Sequence, residues 1–399
     1  MTKSLKVTFE GSQGGELAAR LELPRVPPHA FALFAHCFSC SKDNLAASRI
    51  AKALAMRGIA VLRFDFTGLG ASEGDFANTN FSSNVEDLVR AADFLRKSYQ
   101  APSLLIGHSL GGAAVIVAAS KIPEVKAVAT VGAPADAAHV AKQFADDVET
   151  IAREGEAVVQ LVGRPFTIRK QFLDDIADAR VEDAARALKA ALLIAHSPTD
   201  ATVGIENATR LFVAARHPKS FVGLEGADHL LTRREDAEHV AQVIAAWADR
   251  YLPDSPLPEA PDAPAQKNAA IVTETGAAAY LSWAAAGQAQ FLVDEPEEYG
   301  GLDAGPSPFE LLSVALASCT TMTLRMYAER KEMTLGKITT EVAHAREEGV
   351  DVFTRSISVE GEVPGEIADK LVEIANKCPV HRTLERGAQI RTAYSGGSA

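Results

Sequence analysis

The chain has 399 residues, and its 47% hydrophobic and 23% charged content are those of a soluble globular protein. This length exceeds one ordinary core, so we expect two or three domains. Residues 1–252 hold 28 basic and 30 acidic side chains, whereas residues 253–399 hold 12 and 22, so most of the net charge of −12 follows residue 252. Such an acidic half argues against a nucleic-acid partner, because it would repel a phosphate backbone.

Short apolar runs alternate with helical stretches through the first 252 residues. After an antiparallel hairpin at 6–10 and 16–23, we predict strands at 30–35, 59–64, 103–106, 125–131, 191–195 and 220–224, and helices at 45–57, 84–97, 110–120 and 235–251. This alternation predicts an α/β fold, a mostly parallel sheet with helices on both faces. Residues 134–188 interrupt it with helical, charge-rich sequence, and we expect a small cap there over the carboxyl edge of the sheet.

A proline-rich strip separates the two halves. Five prolines fall between Pro253 and Pro264 with acidic residues among them, which predicts a semi-rigid linker over 253–267. Beyond it we predict an α+β domain over 268–399, with strands at 269–274, 278–282, 290–293, 337–346 and 353–363, a buried helix at 308–331 and a second helix at 365–377. The domains are therefore assigned to 1–252 and 268–399.

The string Gly-His-Ser-Leu-Gly at residues 107–111 connects a predicted strand to a predicted helix. A serine in this G-x-S-x-G turn is typical of an acyl-transfer nucleophile. Asp200 and His229 follow the next two predicted strand ends, in the order serine, acid, histidine. Alone, each would be read as a turn or loop residue, but together with Ser109 they predict a catalytic triad. Asp228 is a rival acid, poorly placed to orient its neighbour.

Two backbone N–H groups should form the oxyanion hole, those of Leu110 and Phe38. Residues 1–252 resemble the α/β-hydrolase family, in its serine aminopeptidase/lipase-like branch. The resemblance rests on the sequence strings at 107–111, 36–38 and 64–74. The resemblance implies that Ser109 attacks a carboxylic ester or related acyl carbonyl, and that water then clears the acyl-enzyme. One departure is Cys37, which stands where this family usually has glycine.

Cys37 and Cys40 form a C-x-x-C string inside the predicted oxyanion loop. That spacing is typical of redox pairs, but two buried cysteines in a tight loop would have the same spacing. A disulfide here would distort the oxyanion hole, so the hypothesis predicts a redox-sensitive hydrolase.

Two further cysteines lie in the second half. Cys319 follows Pro-Phe-Glu-Leu-Leu at 308–312, and Cys378 opens Cys-Pro-Val-His-Arg-Thr-Leu at 378–384. A cysteine in an apolar helix is by default an inert core residue. As a pair, however, these strings resemble the OsmC/Ohr family of organic hydroperoxide reductases, in its OsmC-like branch. The resemblance implies that Cys319 attacks an organic hydroperoxide, Cys378 resolves the sulfenic acid, a lipoyl-type dithiol restores both thiols, and the domain forms an intertwined homodimer.

Two departures concern the positive charge that a reactive thiolate needs. Residues 268–324 contain neither lysine nor arginine, although this family has an arginine near the domain start. Glu310 also sits one place later than the glutamate that usually holds that arginine. Arg382, Arg386 and His381 are candidate substitutes, since they lie near Cys378 in sequence.

The leading hypothesis is therefore a bifunctional enzyme, a serine hydrolase fused to a thiol peroxidase. The first alternative is a hydrolase whose second domain serves dimerisation or redox sensing, and the second is a non-catalytic ligand-binding or redox-sensing protein. We expect no metal, since no Cys/His cluster has ligand spacing, and no bound cofactor. The chain start lacks an apolar signal region and no 18-residue uncharged apolar run occurs, so we expect a cytoplasmic protein without a membrane span.

Overall fold

A computed structural model describes residues 2–37, 41–161 and 164–394. The chain divides into two compact units, Met1–Pro258 and Glu259–Ala399. The division lies within the strip that the prolines mark as a linker.

Strands and helices alternate through most of the first unit. Its strands are β1 Lys3–Glu10, β2 Glu16–Leu23, β3 Ala30–Ala35, β4 Ile59–Phe64, β5 Leu104–His108, β6 Ala127–Val131, β7 Glu156–Leu161, β8 Arg164–Arg169, β9 Ala191–His196 and β10 Lys219–Gly223. Its helices are α1 Leu45–Ala55, α2 Phe81–Ser98, α3 Leu110–Ala118, α4 Val148–Glu154, α5 Lys170–Asp178, α6 Val181–Ala187, α7 Glu206–Ala214 and α8 Arg234–Ala248. Most bounds lie within three residues of the predictions, but α7 was not predicted.

The main sheet runs in the order β1-β2-β4-β3-β5-β6-β9-β10. β1 and β2 pair antiparallel with each other, and β2 pairs antiparallel with β4. From β4 to β10 every neighbouring pair is parallel. The mostly parallel sheet with a hairpin at one edge is confirmed.

The two faces of this sheet feed two separate apolar cores. In β3 the side chains of Phe31 and Leu33 join one core, whereas those of Ala32 and Phe34 join the other. Every residue of β3 is buried, as expected for a strand with helices on both faces. Polar side chains that could form a site are therefore expected at the strand ends, where the loops begin.

The insertion between β6 and β9 differs from the predicted all-helical cap. β7 and β8 form an antiparallel hairpin within it, alongside α4, α5 and α6. Phe166 of β8 packs edge-on against Phe76, with ring centroids 4.8 Å apart. The hairpin escaped prediction because charged residues flank its apolar positions and obscure the alternation.

The second unit is α+β, as predicted. Its strands are β11 Ala270–Glu274, β12 Ser282–Ala286, β13 Ala289–Val293, β14 Ile338–Glu347 and β15 Val350–Val359, and its helices are α9 Pro308–Arg330, α10 Gly365–Ala375 and α11 Pro379–Arg386. The strands β11-β12-β13 form one antiparallel sheet, and β14-β15 form another.

β12 begins four residues later than the strand predicted at 278–282. Ala286 pairs with Ala289, so only Gly287 and Gln288 connect β12 to β13. Gly287 has φ +59°, which a two-residue hairpin turn favours. The two-residue turn therefore sets the pairing of β12 with β13. The apolar residues at 278–282, on which the prediction relied, do not determine where the strand begins.

The prediction that the long helix is buried all round is wrong for the single chain. α9 buries one stripe, Leu316, Thr320, Leu324 and Ala328. On other faces Met322 and Met326 are 64% and 69% exposed. By length and composition alone α9 could also cross a membrane, a test that core helices of globular proteins pass as well. The exposed methionines show that one chain does not cover this helix.

Candidate active sites

Ser109 lies in a sharp turn between β5 and α3. Its φ of 55° and ψ of −126° are in a region that side-chain-bearing residues seldom adopt. A Cβ added at Gly107 would lie 2.3 Å from the Gly111 carbonyl oxygen, and one at Gly111 would lie 2.5 Å from the Ala35 oxygen. The two flanking glycines are therefore required for this turn to fit against β3.

Ser109, His229 and Asp200 meet at the carboxyl ends of the parallel strands. His229 Nε2 lies 3.0 Å from Ser109 Oγ, and His229 Nδ1 lies 2.7 Å from Asp200 Oδ2. These distances let one imidazole face a hydroxyl and a carboxylate at once. The structure thus brings together the three side chains predicted to act together, although Ser109 and Asp200 are 91 positions apart in sequence.

Asp200 is held as a carboxylate. Burial alone would raise its pKa, but the hydrogen bond with His229, the amides of Val203 and Thr202 and the charge of His229 together bring the pKa below its ordinary value. Both amides donate to Oδ1 at 2.9 Å, which leaves Oδ2 for the His229 ring. The carboxylate can therefore orient the imidazole and stabilise its protonated form.

The rival acid, Asp228, has a different role. Its carboxylate accepts from the backbone N–H of Thr232 at 3.1 Å and contacts the Thr232 hydroxyl. It therefore holds the turn after His229, whereas Asp200 contacts the ring.

His108, which the sequence places in the strand-end motif as a structural residue, also contacts this site. Its Nε2 donates to the His229 carbonyl at 2.6 Å, and the two rings lie 5.2 Å apart. Burial, together with the charge of the His229 ring, lowers the pKa of His108 to about 4. His108 is therefore a neutral donor that fixes the backbone of His229.

Of the two predicted oxyanion donors, the structure describes one. Leu110 is the first residue of α3, so its N–H has no partner within the helix. Phe38 lies outside the described residues. The chain beyond it is anchored by Lys42, whose N–H and Nζ donate to the buried Asp65 at 2.6 and 2.7 Å.

The predicted redox pair is described only in part. Cys37 is buried and its sulfur is in a disulfide, while Cys40 lies outside the described residues. The backbone oxygen of Cys37 accepts a hydrogen bond from His36 Nδ1 at 2.7 Å. Cys37 lies two residues after β3 and follows His36, whose carbonyl oxygen would lie 2.5 Å from a Cβ added at Gly111.

Cys319 and Cys378 are free cysteines of the second unit. Cys378 is fully buried and is the N-cap of α11, where its Sγ accepts from the His381 N–H at 3.3 Å. The α9 side chain that meets this sulfur is Thr320, at 3.7 Å, and not its neighbour Cys319. Cys319 is half-buried, one position along the helix.

A cation that contacts this Thr320 is Arg355, which the sequence reasoning missed. From β15 it donates to Thr320 Oγ1 at 2.8 Å. The predicted substitutes are placed differently, because the His381 ring pairs with Glu385 at 3.6 Å and Arg382 and Arg386 are exposed. A signal existed, since Arg355 shares the alternation of Phe353, Ile357 and Val359, and an arginine on that face faces inward.

Glu310, which departs from the usual family position, caps α9. Its Oε2 accepts from the Ser307 N–H at 2.7 Å, and the Ser307 hydroxyl accepts from the Glu310 N–H at 3.4 Å. This reciprocal capping satisfies the first turn of the helix. Within residues 2–37, 41–161 and 164–394, no group of three or more His, Cys, Asp or Glu side chains is arranged to hold a metal ion.

Two family models match separate parts of the chain. Residues 27–162 match the model for serine aminopeptidase, S33, and residues 300–393 match the model for OsmC-like protein. The matches fall one in each unit.

Solved structures resemble the first unit. The esterase domain from a Rhodothermus marinus protein is 54% identical, with 62% of this chain and 99% of that chain covered and a TM-score of 0.52. Alpha/beta hydrolase domain-containing protein 10 from mouse is 20% identical over 62% of this chain and 99% of that chain, also with a TM-score of 0.52, which shows the fold alone.

One curated relative is similar over a shorter stretch. The mitochondrial palmitoyl-protein thioesterase ABHD10 of Rattus norvegicus is 33% identical over 87 residues, which are 22% of this chain. The chain spans only 28% of the length of that relative.

Proposed function

This chain belongs to the α/β-hydrolase family over its first unit and carries an OsmC-like domain in its second, and from that premise we propose that the first unit is a serine hydrolase acting on carboxylic esters or related acyl compounds. The observation that carries the proposal is the chain of contacts from Ser109 Oγ through the His229 ring to Asp200, at 3.0 and 2.7 Å. The 54% identity to an esterase domain supports ester substrates.

The proposed reaction proceeds through an acyl-enzyme. His229 Nε2 takes the proton of Ser109 as its oxygen attacks the carbonyl carbon, and Asp200 stabilises the resulting imidazolium. The Leu110 N–H stabilises the oxyanion. His229 then returns the proton to the leaving alcohol or thiol, and water attacks the acyl-enzyme by the same route.

The test compares Ser109→Ala with the unchanged chain on p-nitrophenyl esters of increasing acyl length and on a palmitoyl thioester. The thioester is included because the rat relative is a palmitoyl-protein thioesterase. We expect turnover to fall about 10⁴-fold in the variant. Labelling of the unchanged chain by a fluorophosphonate, lost in Ser109→Ala, would exclude the non-catalytic alternative, and absence of labelling in both would contradict the proposal.

For the second unit we propose an organic hydroperoxide reductase. The Cys319 thiolate attacks the O–O bond, so that one oxygen leaves as an alcohol and the other remains as a sulfenic acid. The Cys378 thiol then displaces water from that sulfenic acid to form a disulfide, and a dithiol of the lipoyl type reduces the disulfide. The position of Cys378 beside Thr320, the neighbour of Cys319, supports this pairing.

Peroxide consumption tests this second activity. With cumene hydroperoxide as substrate and dihydrolipoamide as reductant, we expect turnover by the purified chain and loss of turnover in Cys319→Ser. Equal consumption by both would contradict the peroxidase and favour the alternative in which the second unit serves dimerisation or redox sensing.

We also propose that the second unit forms a homodimer through α9. Leu312, Met322 and Met326 of this helix are 40%, 64% and 69% exposed, and their spacing places them on one face. Cys319 falls on the same helical stripe by its spacing of three from Met322. A second copy would cover this apolar stripe, which supports dimerisation whether or not the cysteines react.

A further inference from the structure

Among the residues that the structure describes, the guanidinium of Arg355 donates only to neutral acceptors. Nη1 donates to Thr320 Oγ1 at 2.8 Å and to the Ala375 carbonyl at 3.2 Å, and Nη2 donates to Asn376 Oδ1 at 2.7 Å. Across the part of the chain that the structure describes, no carboxylate oxygen lies within 4.0 Å of its side-chain nitrogens. No carboxylate of the described residues therefore compensates its positive charge.

One side of this charge faces a dry part of the second unit, whereas its Nη2 contact with Asn376 is exposed. Thr320 and Cys378 are both fully buried, and Arg355 itself is half-buried. Charges interact more strongly in such surroundings than in water, and an uncompensated cation there favours an anion nearby. The group beyond Thr320 that can become an anion is the sulfur of Cys378.

The Thr320 hydroxyl connects the two. Since Arg355 is a donor, it occupies a lone pair of Oγ1, and the single hydroxyl proton must go to another acceptor. Two acceptors are within reach, the Leu316 carbonyl at 2.7 Å and Cys378 Sγ at 3.7 Å. When the sulfur loses its proton, the hydroxyl can rotate from the carbonyl to the sulfur. The His381 N–H, at 3.3 Å, is a second donor already in place.

We infer that Arg355, acting through Thr320, is a positioning residue that stabilises the anionic sulfur of Cys378. The inference rests on the proposed peroxidase for its role in the reaction. There it promotes resolution, in which the Cys378 thiolate attacks the Cys319 sulfenic sulfur, hydroxide leaves and takes up the thiol proton as water, and a disulfide forms. The oxidation of Cys319 by the hydroperoxide does not depend on it.

The first experiment needs no peroxidase activity. In the full chain, ultraviolet thiolate absorbance at neutral pH is compared between Cys319→Ser and Cys319→Ser/Cys378→Ser, so that the difference reports Cys378 alone. Adding Arg355→Gln or Thr320→Val should reduce this difference about tenfold, and Thr320→Ser should retain it.

Two matched controls separate this effect from general loss of packing. Arg325 also donates to neutral carbonyls, those of Leu335 and Gly336, and Thr321 is likewise a threonine of α9, bound to Ala317 and Thr340. Arg325→Gln and Thr321→Val should leave the thiolate signal unchanged. If Arg355→Gln does not fold, as judged by circular dichroism, Thr320→Val decides the question. An unchanged thiolate signal in a folded Arg355→Gln or Thr320→Val variant would overturn the inference.

The second experiment measures the reaction step by step. After one equivalent of cumene hydroperoxide, the sulfenic acid of Cys319 is trapped with dimedone and the disulfide is quantified over time. In Arg355→Gln the sulfenic acid should form at the normal rate but persist, with disulfide formation slowed about tenfold. Normal disulfide formation would overturn the inference. If the unchanged chain forms no sulfenic acid, the proposed peroxidase fails, and the thiolate measurement still decides whether Arg355 acts on Cys378.

Discussion

His108 Nε2 lies 2.6 Å from the backbone carbonyl oxygen of His229, the histidine whose ring reaches Ser109 Oγ at 3.0 Å. The residue before the proposed nucleophile therefore holds the backbone of the proposed base. A carbonyl oxygen only accepts hydrogen bonds, so His108 must carry its proton on Nε2. This arrangement links the geometry of the site to the neutral state of one buried ring.

The first prediction concerns stability against pH. In the folded chain burial lowers the pKa of His108 to about 4, whereas an unfolded histidine has an ordinary value of 6.5. As pH falls from 6.5 towards 4, this histidine therefore takes up a proton in the unfolded chain but not in the folded chain. The free energy of unfolding should fall by up to about 3 kcal/mol over this range. Urea unfolding at several pH values should show this decline, and His108→Gln, which keeps a donor without titrating, should reduce its slope.

Two comparisons make that test specific. His36 is also buried with a lowered pKa, so the difference between the unchanged chain and His108→Gln isolates one ring from the other. His139 also bonds to a carbonyl, that of Thr202 at 2.9 Å, but at an exposed site. His139→Gln removes a histidine that bonds to a carbonyl outside the serine site, and it serves as the matched control. If the free energy of unfolding declines equally with falling pH in all three proteins, His108 is not buried in a neutral state.

The second prediction distinguishes the two neighbouring acids. Asp200→Asn should lower esterase turnover about 10⁴-fold, because an amide no longer stabilises the imidazolium or its tautomer. Asp228→Asn should retain turnover within about threefold, since this side chain holds the Thr232 turn and an asparagine oxygen can still accept from the Thr232 N–H. Initial rates on a p-nitrophenyl ester decide it, and equal losses in the two variants would contradict the assigned roles.

The third prediction concerns the apolar stripe of α9. Met326→Glu places a charge on a side chain that is 69% exposed in the single chain, so it should leave each chain folded but separate the homodimer. Sedimentation should show dimers of the unchanged chain and monomers of the variant at micromolar concentration. Val372 of α10 is 54% exposed on another helix, and Val372→Glu should remain dimeric. A dimeric Met326→Glu protein would place the interface elsewhere.

The fourth prediction concerns the disulfide of Cys37. Because this residue follows His36, whose carbonyl oxygen lies close to Gly111, its oxidation state should alter the oxyanion loop. Esterase turnover should fall after diamide treatment and recover with dithiothreitol, and Cys37→Ser should respond to neither. Full esterase activity after diamide treatment would contradict the hypothesis of a redox-sensitive hydrolase.

Local sequence patterns determined the two fold classes and the residues of the serine site. The alternation of buried strands and helices predicts a parallel sheet, and the ends of parallel strands share one edge, so the order Ser109, Asp200, His229 is enough to predict that they meet. Glycines at 107 and 111 identify the turn because few other residues fit where a Cβ would strike a backbone oxygen. The strings around Cys319 and Cys378 likewise point to the second family.

Tertiary structure alone decided contacts between residues distant in sequence. Arg355 reaches Thr320 because β14, the strand that pairs with β15, packs against α9, and the local sequence around either residue does not predict this contact. Likewise, only the folded chain shows that Thr320, and not Cys319, meets Cys378, and that His108 bonds to His229 across 121 positions. Sequence periodicity reports which face of an element is apolar, whereas the partner of a polar group depends on how separate elements pack.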